Sequence, residues 1–521
     1  MVFDFTVGFA DNPIIQNIYT GDPAPMVYDG TFYVYSGHDE DTLVNNFYTM
    51  NDWRCYSSKD MANWTDHGSP LSYTTFSWAQ GDAWAGQCIQ RNGKFYYYVP
   101  MTRKNGGGAK VIGVAVADSP IGPFKDALGK PLIANNGAQD IDPTVYIDDN
   151  GQAYLYWGNT NLYYVKLNQD MISYSGSIVQ VSPKPTSFIE APWLYKRGGL
   201  YYMVYAGMGS GSENIAYATS NSATGPWTYK SVIMPTQGNS FTNHPGIVDY
   251  NGNSYFVYHN GALPGGGGYH RSVCIEQFKY NSDGTIPQFN MTKTGPNQIG
   301  NLNPYNQTEA ETICWGSGVE SEKCSEGGMD VCNIENGDNI KVKGVNFGNG
   351  AISFDARVAS AASGGNIELR LDSVTGTLIG TCAVSGTGGL QTWTTKSCKV
   401  TGATGIHDLY LKFTGGSGSL FNFNWWKFSS SSVSTPTFTP TSTSTPTSTR
   451  TSTFTPTSTS VNSIDLNHDG VINMADVVLL ASKFNTVIGN PGYVDIYDIN
   501  KDGAINMADV ILIAAKFNTI F

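Results

Sequence analysis

Aromatic and aliphatic residues alternate with polar ones in five short stretches of one design: VYDGTFYVY, QRNGKFYYYV, DDNGQAYLYW, KRGGLYYMVY and DYNGNSYFVY. Each reads as a strand, a glycine-containing turn and a second strand, because a period of two buries one side of a strand and leaves the other free. A further apolar pair follows each stretch, as in IGVAVADSPIGPFKD and IAYATSNSATGPWTYK. The units return roughly every 50–60 residues, which gives each room for about four strands. Repeated four-stranded sheets bury their faces against one another around an axis, so residues 12–295 are expected to form a five-bladed β-propeller.

The pattern then changes twice. Residues 305–428 carry shorter alternating runs, AISFDARVAS, GNIELRLDS and HDLYLKF, between glycine-rich turns, and predict a β-sandwich of jelly-roll type. Residues 429–460 are almost wholly Ser, Thr and Pro; such a stretch builds no core and is expected to be a disordered spacer. In residues 461–521, DLNHDGVINMADVVLLASKFNT returns as DINKDGAINMADVILIAAKFNT. Each copy is a calcium-type loop followed by one apolar helix, so a small all-α domain is expected there. The whole chain is thus read as all-β with a small helical tail.

Composition narrows the partners. Among 521 residues, 13% are aromatic and only 14% charged, a mixture suited to polar clefts lined with rings. A formal charge of −12 argues against nucleic acid and anionic membranes. No apolar run is long enough to span a bilayer. Secretion is expected, with a leader already removed, although residues 1–12 themselves lack a basic start and apolar core. Of eight cysteines, Cys314, Cys324, Cys332, Cys382 and Cys398 crowd one segment, and Cys382 and Cys398 could staple a hairpin-like excursion.

The candidate chemistry comes from aligning the repeats. Eight or nine positions ahead of the turn glycines stand Asp22, Trp84, Asp142, Glu190 and His244. Proline follows three of them directly and Glu190 after one residue. Innermost strands of a propeller face its channel, so three carboxyls should converge there. Cleavage of a glycosidic bond needs one protonated carboxyl for the leaving oxygen and one ionised carboxylate to activate water. A third acid can keep the donor protonated by repulsion. Trp84 and Phe241 offer flat walls for a sugar ring.

GDPAP, QDIDPTVYIDDNGQAYLYWG and FIEAPW resemble the signature segments of glycoside hydrolase family 43, an inverting propeller family, over about residues 12–295. The resemblance implies Asp22 as general base, Glu190 as general acid and Asp142 as the residue that orients Glu190 and tunes its proton affinity. His244 and Arg271 resemble the family's axial histidine and substrate-facing arginine, with a cation possible in the channel and none needed for the chemistry. NQTEAETICWGSGVE, GGNIELRLDS and LFNFNWWKF resemble carbohydrate-binding module family 6. There the likeness implies a structural calcium at Glu309 and Glu311, with Asn424 where an aspartate is usual. Trp393 and Asn422 match sugar-contacting parts, while Asn333 stands near an expected tyrosine.

The duplicated tail resembles a type I dockerin, which plugs enzymes into a cohesin-bearing scaffold. Its loops would hold two calcium ions, one through Asp465, Asn467, Asp469, Val471, Asn473 and Asp476, the other through Asp498, Asn500, Asp502, Ala504, Asn506 and Asp509. The combined expectation is a secreted, cellulosome-attached hydrolase that removes α-L-arabinofuranosyl side chains from arabinoxylan. The alternatives are a β-xylosidase or bifunctional enzyme, and a non-catalytic sugar-binding component of a scaffold.

Overall fold

The alternating repeats fold into five antiparallel sheets, each opening with one inner strand: Tyr19–Tyr28, Gln87–Arg91, Thr144–Ile147, Phe188–Arg197 and Gly246–Tyr250. The computed structural model describes residues 11–135, 139–208, 211–430 and, in part, 466–516. Two compact units divide the chain, residues 1–433 and 434–521. Each inner strand meets that of the next sheet, and the ring closes where Tyr19–Tyr28 meets Gly246–Tyr250.

Alternation explains how neighbouring blades stick. Tyr154 and Tyr156 of the third blade pack with Leu194, Met203 and Tyr205 of the fourth. The Tyr156 hydroxyl still finds a partner, donating to the Ala223 carbonyl at 2.6 Å. Each such side chain contributes about 1.5–3 kcal/mol on burial, so interblade packing holds the channel in shape.

The fifth blade corrects the expectation of four strands per unit. Among the described residues it has three, Gly246–Tyr250, Asn253–Asn260 and Ser272–Phe278. The stretch expected to supply the fourth contains Pro287, which cannot donate to a ladder. It crosses instead to the fourth blade, where the Phe289 N–H donates to the Ile233 carbonyl at 2.6 Å. The outer place in the fifth blade is taken by Asn12 and Ile14. The Ile14 N–H donates to the Val273 carbonyl at 2.9 Å, and the Asn12 amide exchanges bonds of 3.0 and 3.1 Å with the Ile275 backbone.

Residues 308–430 form a sandwich of a six-stranded and a five-stranded sheet around Phe354, Leu411, Phe413, Phe423 and Trp426. It is built onto the propeller. Thr312–Ile313 extends the first blade by pairing with Trp64–Thr65, and the Asn63 amide makes reciprocal bonds of 2.9 and 2.7 Å with the Lys343 backbone. The thiols of Cys382 and Cys398 lie within hydrogen-bond reach. Their strands, Thr377–Val384 and Thr394–Lys399, belong to opposite sheets. A bond between them would therefore tie sheet to sheet rather than close a hairpin.

Among its described residues the last unit has two helices, Met474–Ala481 and Met507–Ala514, over a core that includes Leu480, Ile505 and Ile513. It is not purely helical, because Thr486–Val487 pairs with Ala504–Ile505 inside the second loop. Past Ser430 the expected spacer lies outside the described residues, as do Asp465, Asn467, Asp469, Val471 and Asn473.

Candidate active site

The tripeptide Gly21-Asp22-Pro23 shows how sequence builds the site. A Cβ on Gly21 would lie 2.4 Å from Cζ of Arg271, so only glycine lets that guanidinium reach the strand. Asp22 then takes a left-handed φ of 52°, and the strand pairing slips between Gly21 and Ala24. A bulge of this kind re-aims a side chain out of the regular alternation. Asp142 repeats the pattern with φ 56° ahead of Pro143. In the fourth blade the left-handed residue is Ala191, φ 52°, and the pairing slips on both sides of Glu190. Proline thus follows the left-handed residue in all three blades; the acid is that residue twice and its predecessor once. This accounts for the extra residue between Glu190 and Pro192.

Asp22, Trp84, Asp142, Glu190, Phe241, His244 and Arg271 all line one cavity of about 320 Å³. Its two sides differ in charge. Around Asp22, the Arg271 guanidinium donates to the Asp22 carboxylate through Nη1, and to Asp39 through Nε at 2.9 Å and Nη2 at 2.8 Å. The Asp22 N–H donates to Nδ1 of His259 at 3.1 Å, while Nε2 of His259 faces the Thr242 carbonyl at 2.9 Å. That pairing uses both ring nitrogens of a neutral imidazole. Burial pushes His259 down to about 3 and His244 down to about 4. Burial would raise the Asp22 carboxyl, but Arg271, with His259 and His244 nearby, holds it below the ordinary range. With both rings neutral, Arg271 is the cation that matters.

On the opposite side acids face acids. Asn159 donates its amide to Oε2 of Glu190, and the Ala191 N–H donates to Asp142 at 2.9 Å. Burial and then the charge of Glu190 push the Asp142 carboxyl well up. Glu190 is raised by burial and by Asp22, against the Asn159 bond. The one guanidinium is committed to Asp22 and Asp39, whereas Asp142, Glu190 and Glu213 stand together without a cation and all three carboxyls are pushed up, burial first. A carboxyl held low on one side and one pushed up on the other is the arrangement that acid–base hydrolysis requires.

The rim is aromatic. The rings of Tyr48, Phe241 and Tyr269 pack edge to face or tilted at centroid distances of 4.8–6.3 Å, and Phe47 joins them to Trp84. The glycine-rich loop is needed for this fit, since a Cβ on Gly268 would lie 1.8 Å from the Phe241 ring. Sequence reading missed Asp39, Glu213 and His259, which sit on second and third strands, outside the aligned inner positions. The signal was there: each is a charged or ionisable residue at the end of an apolar run, TFYVYSGHD, ENIAYATS and SYFVYHN. Phe47 and Tyr48 lie in an irregular loop and carried no periodic signal.

In the sandwich, Trp393 is half-buried and donates Nε1 to Ser325 at 3.0 Å. Asn422 is 1% exposed, with its amide nitrogen committed to Glu322 at 2.6 Å and Asp330 at 3.0 Å. Asn333 is exposed and bonds to Glu320. The segment Glu309–Glu311 runs beside Asn424, whose carbonyl accepts from the Ala310 N–H at 2.8 Å. Glu311 is buried with Oε2 unpartnered, and burial raises both its carboxyl and that of Glu309. An oxygen-seeking cation would relieve both. In the second loop of the tail, Asp498 accepts from the Asp502 N–H at 3.2 Å, Asp502 from the Asn500 amide at 2.7 Å and Asp509 from the Ile499 N–H at 2.7 Å; Asp509 is fully buried. Hard oxygen donors of this kind suit calcium.

A propeller with acids gathered at one mouth is the architecture of an enzyme that cuts sugar polymers. The chain belongs to the glycosyl hydrolases family 43, whose family model matches residues 10–286. The carbohydrate binding module (family 6) matches residues 309–430, and the dockerin type I domain, a calcium-binding type, matches 456–518. An arabinoxylan arabinofuranohydrolase of Bacillus subtilis is 37% identical over 80% of this chain and 92% of its own. One from Paenibacillus polymyxa is 35% identical over 81% and 74%. The crystal structure of a Bacillus subtilis family 43 arabinoxylan arabinofuranohydrolase with cellotetraose superposes with a TM-score of 0.72 at 35% identity, covering 81% of this chain and 99% of that one.

Proposed function

We infer that this chain removes α-L-arabinofuranosyl side chains from arabinoxylan by a single inverting displacement. The observation that carries the reading is the opposite charge balance on the two sides of one cavity. Asp22, ionised beside Arg271, takes a proton from the attacking water. Glu190, proton-bearing, gives its proton to the leaving oxygen, and Asp142 orients it by accepting the Ala191 N–H next to it in the chain. Inversion needs room for water, with carboxyls roughly 6.5–9.5 Å apart. His244 and Arg271 orient the sugar from below, while Trp84 and Phe241 form its walls.

The attached modules bring the enzyme to its polymer. Trp393 stacks on a sugar ring at the sandwich, and calcium at Glu309 and Glu311 locks that module's first strand. In the tail, Asp476 and the group Asp498, Asn500, Asp502, Ala504, Asn506 and Asp509 belong to two calcium loops that shape the helices for a cohesin, placing the secreted enzyme on a cellulosome. The test is Glu190→Ala. Arabinose release from arabinoxylan should fall by about 10²–10⁴-fold while calcium-dependent capture by cohesin persists. Unchanged release removes Glu190 from its role; release of xylose instead of arabinose by the parent enzyme turns the assignment to a β-xylosidase.

A further inference from the structure

Glu213 is an acid that neither the repeat nor the family resemblance singled out. It heads the third strand of the fourth blade, opposite Met208, and is 7% exposed. The Asn243 N–H donates to its Oε2 at 2.7 Å, and the Asn243 side chain donates to its backbone carbonyl at 3.1 Å. Its carboxyl is thereby fixed in place, within hydrogen-bond reach of Glu190. The other charged groups that bear on it, Asp142 and Asp22, are also acids, and the nearby cation Arg271 is committed to Asp22 and Asp39.

We propose that Glu213 is a positioning residue for the proton donor: it keeps its own proton and donates that O–H to the Glu190 carboxylate formed as the glycosidic bond breaks. This rests on Glu190 being the general acid. Two ionised carboxylates cannot touch in a buried pocket at reasonable cost, and an ionised Glu213 would have no donor to offer. A protonated one turns the contact into a charge-assisted bond. Glu190 then receives two donors, Asn159 on Oε2 and Glu213, aimed at charge that develops only during reaction. Burial and then Glu190 push the Glu213 carboxyl up to about 9, in keeping with a group that stays protonated. The protons balance: Glu190 gives one to the leaving oxygen and keeps the bonding electrons, Asp22 takes one from water, and Glu213 gives up none.

The experiment compares Glu213→Leu and Glu213→Gln on arabinoxylan and on an aryl arabinofuranoside whose acidic phenol leaves without a proton. Glu213→Leu should lower kcat/KM on arabinoxylan roughly 10- to 100-fold, the rate equivalent of one bond to a charged group, and affect the aryl substrate far less. The alkaline limb of its pH profile should move up, because the Glu190 anion has lost a donor. Glu213→Gln, with an amide N–H in place of the O–H, should restore most of the activity and leave the limb where it was. Equal losses on both substrates overturn the proposal. So does a limb that falls in Glu213→Gln, which would mean that an ionised Glu213 had been holding Glu190 up by repulsion. The isosteric Gln variant decides alone if the Leu variant does not fold. Glu190→Gln run on the same two substrates separates the premises: without leaving-group discrimination there, the role of Glu190 itself falls.

Discussion

Asp22 and Glu190 line the same cavity, are both buried acids on inner strands, and behave in opposite ways. Around Asp22 the neighbours are a guanidinium and two neutral imidazoles; around Glu190 they are Asp142, Glu213 and an amide. Depth does not separate them, since burial alone would raise both. At Asp22 the guanidinium overrides burial; at Glu190 burial and the charge of Asp22 act in the same direction. Proton affinity at each acid is therefore a property of the strands beside it, not of the strand that carries it.

The contrast can be broken outright from the cationic side. Asp22→Asn leaves Arg271 its partner Asp39 but removes the base, and kcat/KM should fall about 10²–10⁴-fold, read as initial rates on arabinoxylan. Arg271→Met acts on the environment instead. It leaves Asp22 and Asp39 buried without a counter-charge, and the loss should be roughly 3–5 kcal/mol in a denaturant titration. In whatever fraction remains folded, the acidic limb of the pH profile should move up. The sign follows from Asp22, which must be ionised to act: with burial no longer opposed, it takes up its proton at higher pH. An unmoved limb would show that Arg271 does not set the charge of Asp22. The smallest change is Phe241→Ala on the rim, where the ring is 40% exposed. Losing one stacking face should raise KM several-fold, equivalent to about 1 kcal/mol, with kcat nearly constant. A fall in kcat alone would place Phe241 in the chemistry rather than at the wall.

The same contrast marks how far the sequence could be read. Inner-strand acids were legible because each breaks an apolar alternation at an equivalent place in its repeat, and because a proline follows the bulge. Asp39, His259 and Glu213 break alternation too, but on other strands, where nothing in a one-dimensional repeat ties them to the channel. The rim residues Phe47, Tyr48 and Tyr269 come from loops without any period. Asn422 looked like a residue presented to sugar, and the structure buries it on Glu322 and Asp330, two acids far from it along the chain.

By itself the sequence determined the local grammar of this protein: five hairpin repeats, a second set of shorter strands, two calcium-type loops, and the places where an acid interrupts a buried strand. Those features depend on neighbours a few residues apart, so they are written in the chain's own order. Only the tertiary structure decided which acid is held below the ordinary range and which is pushed up, that Asn12 and Ile14 take the outer place in the last blade, and that the sandwich lends a strand to the first. Those outcomes depend on charges and edges brought together from residues hundreds of positions apart, such as Arg271 on Asp22 and Lys343 on Asn63. Electrostatic energy falls off with distance in space, and only the packing of blades and sandwich sets that distance.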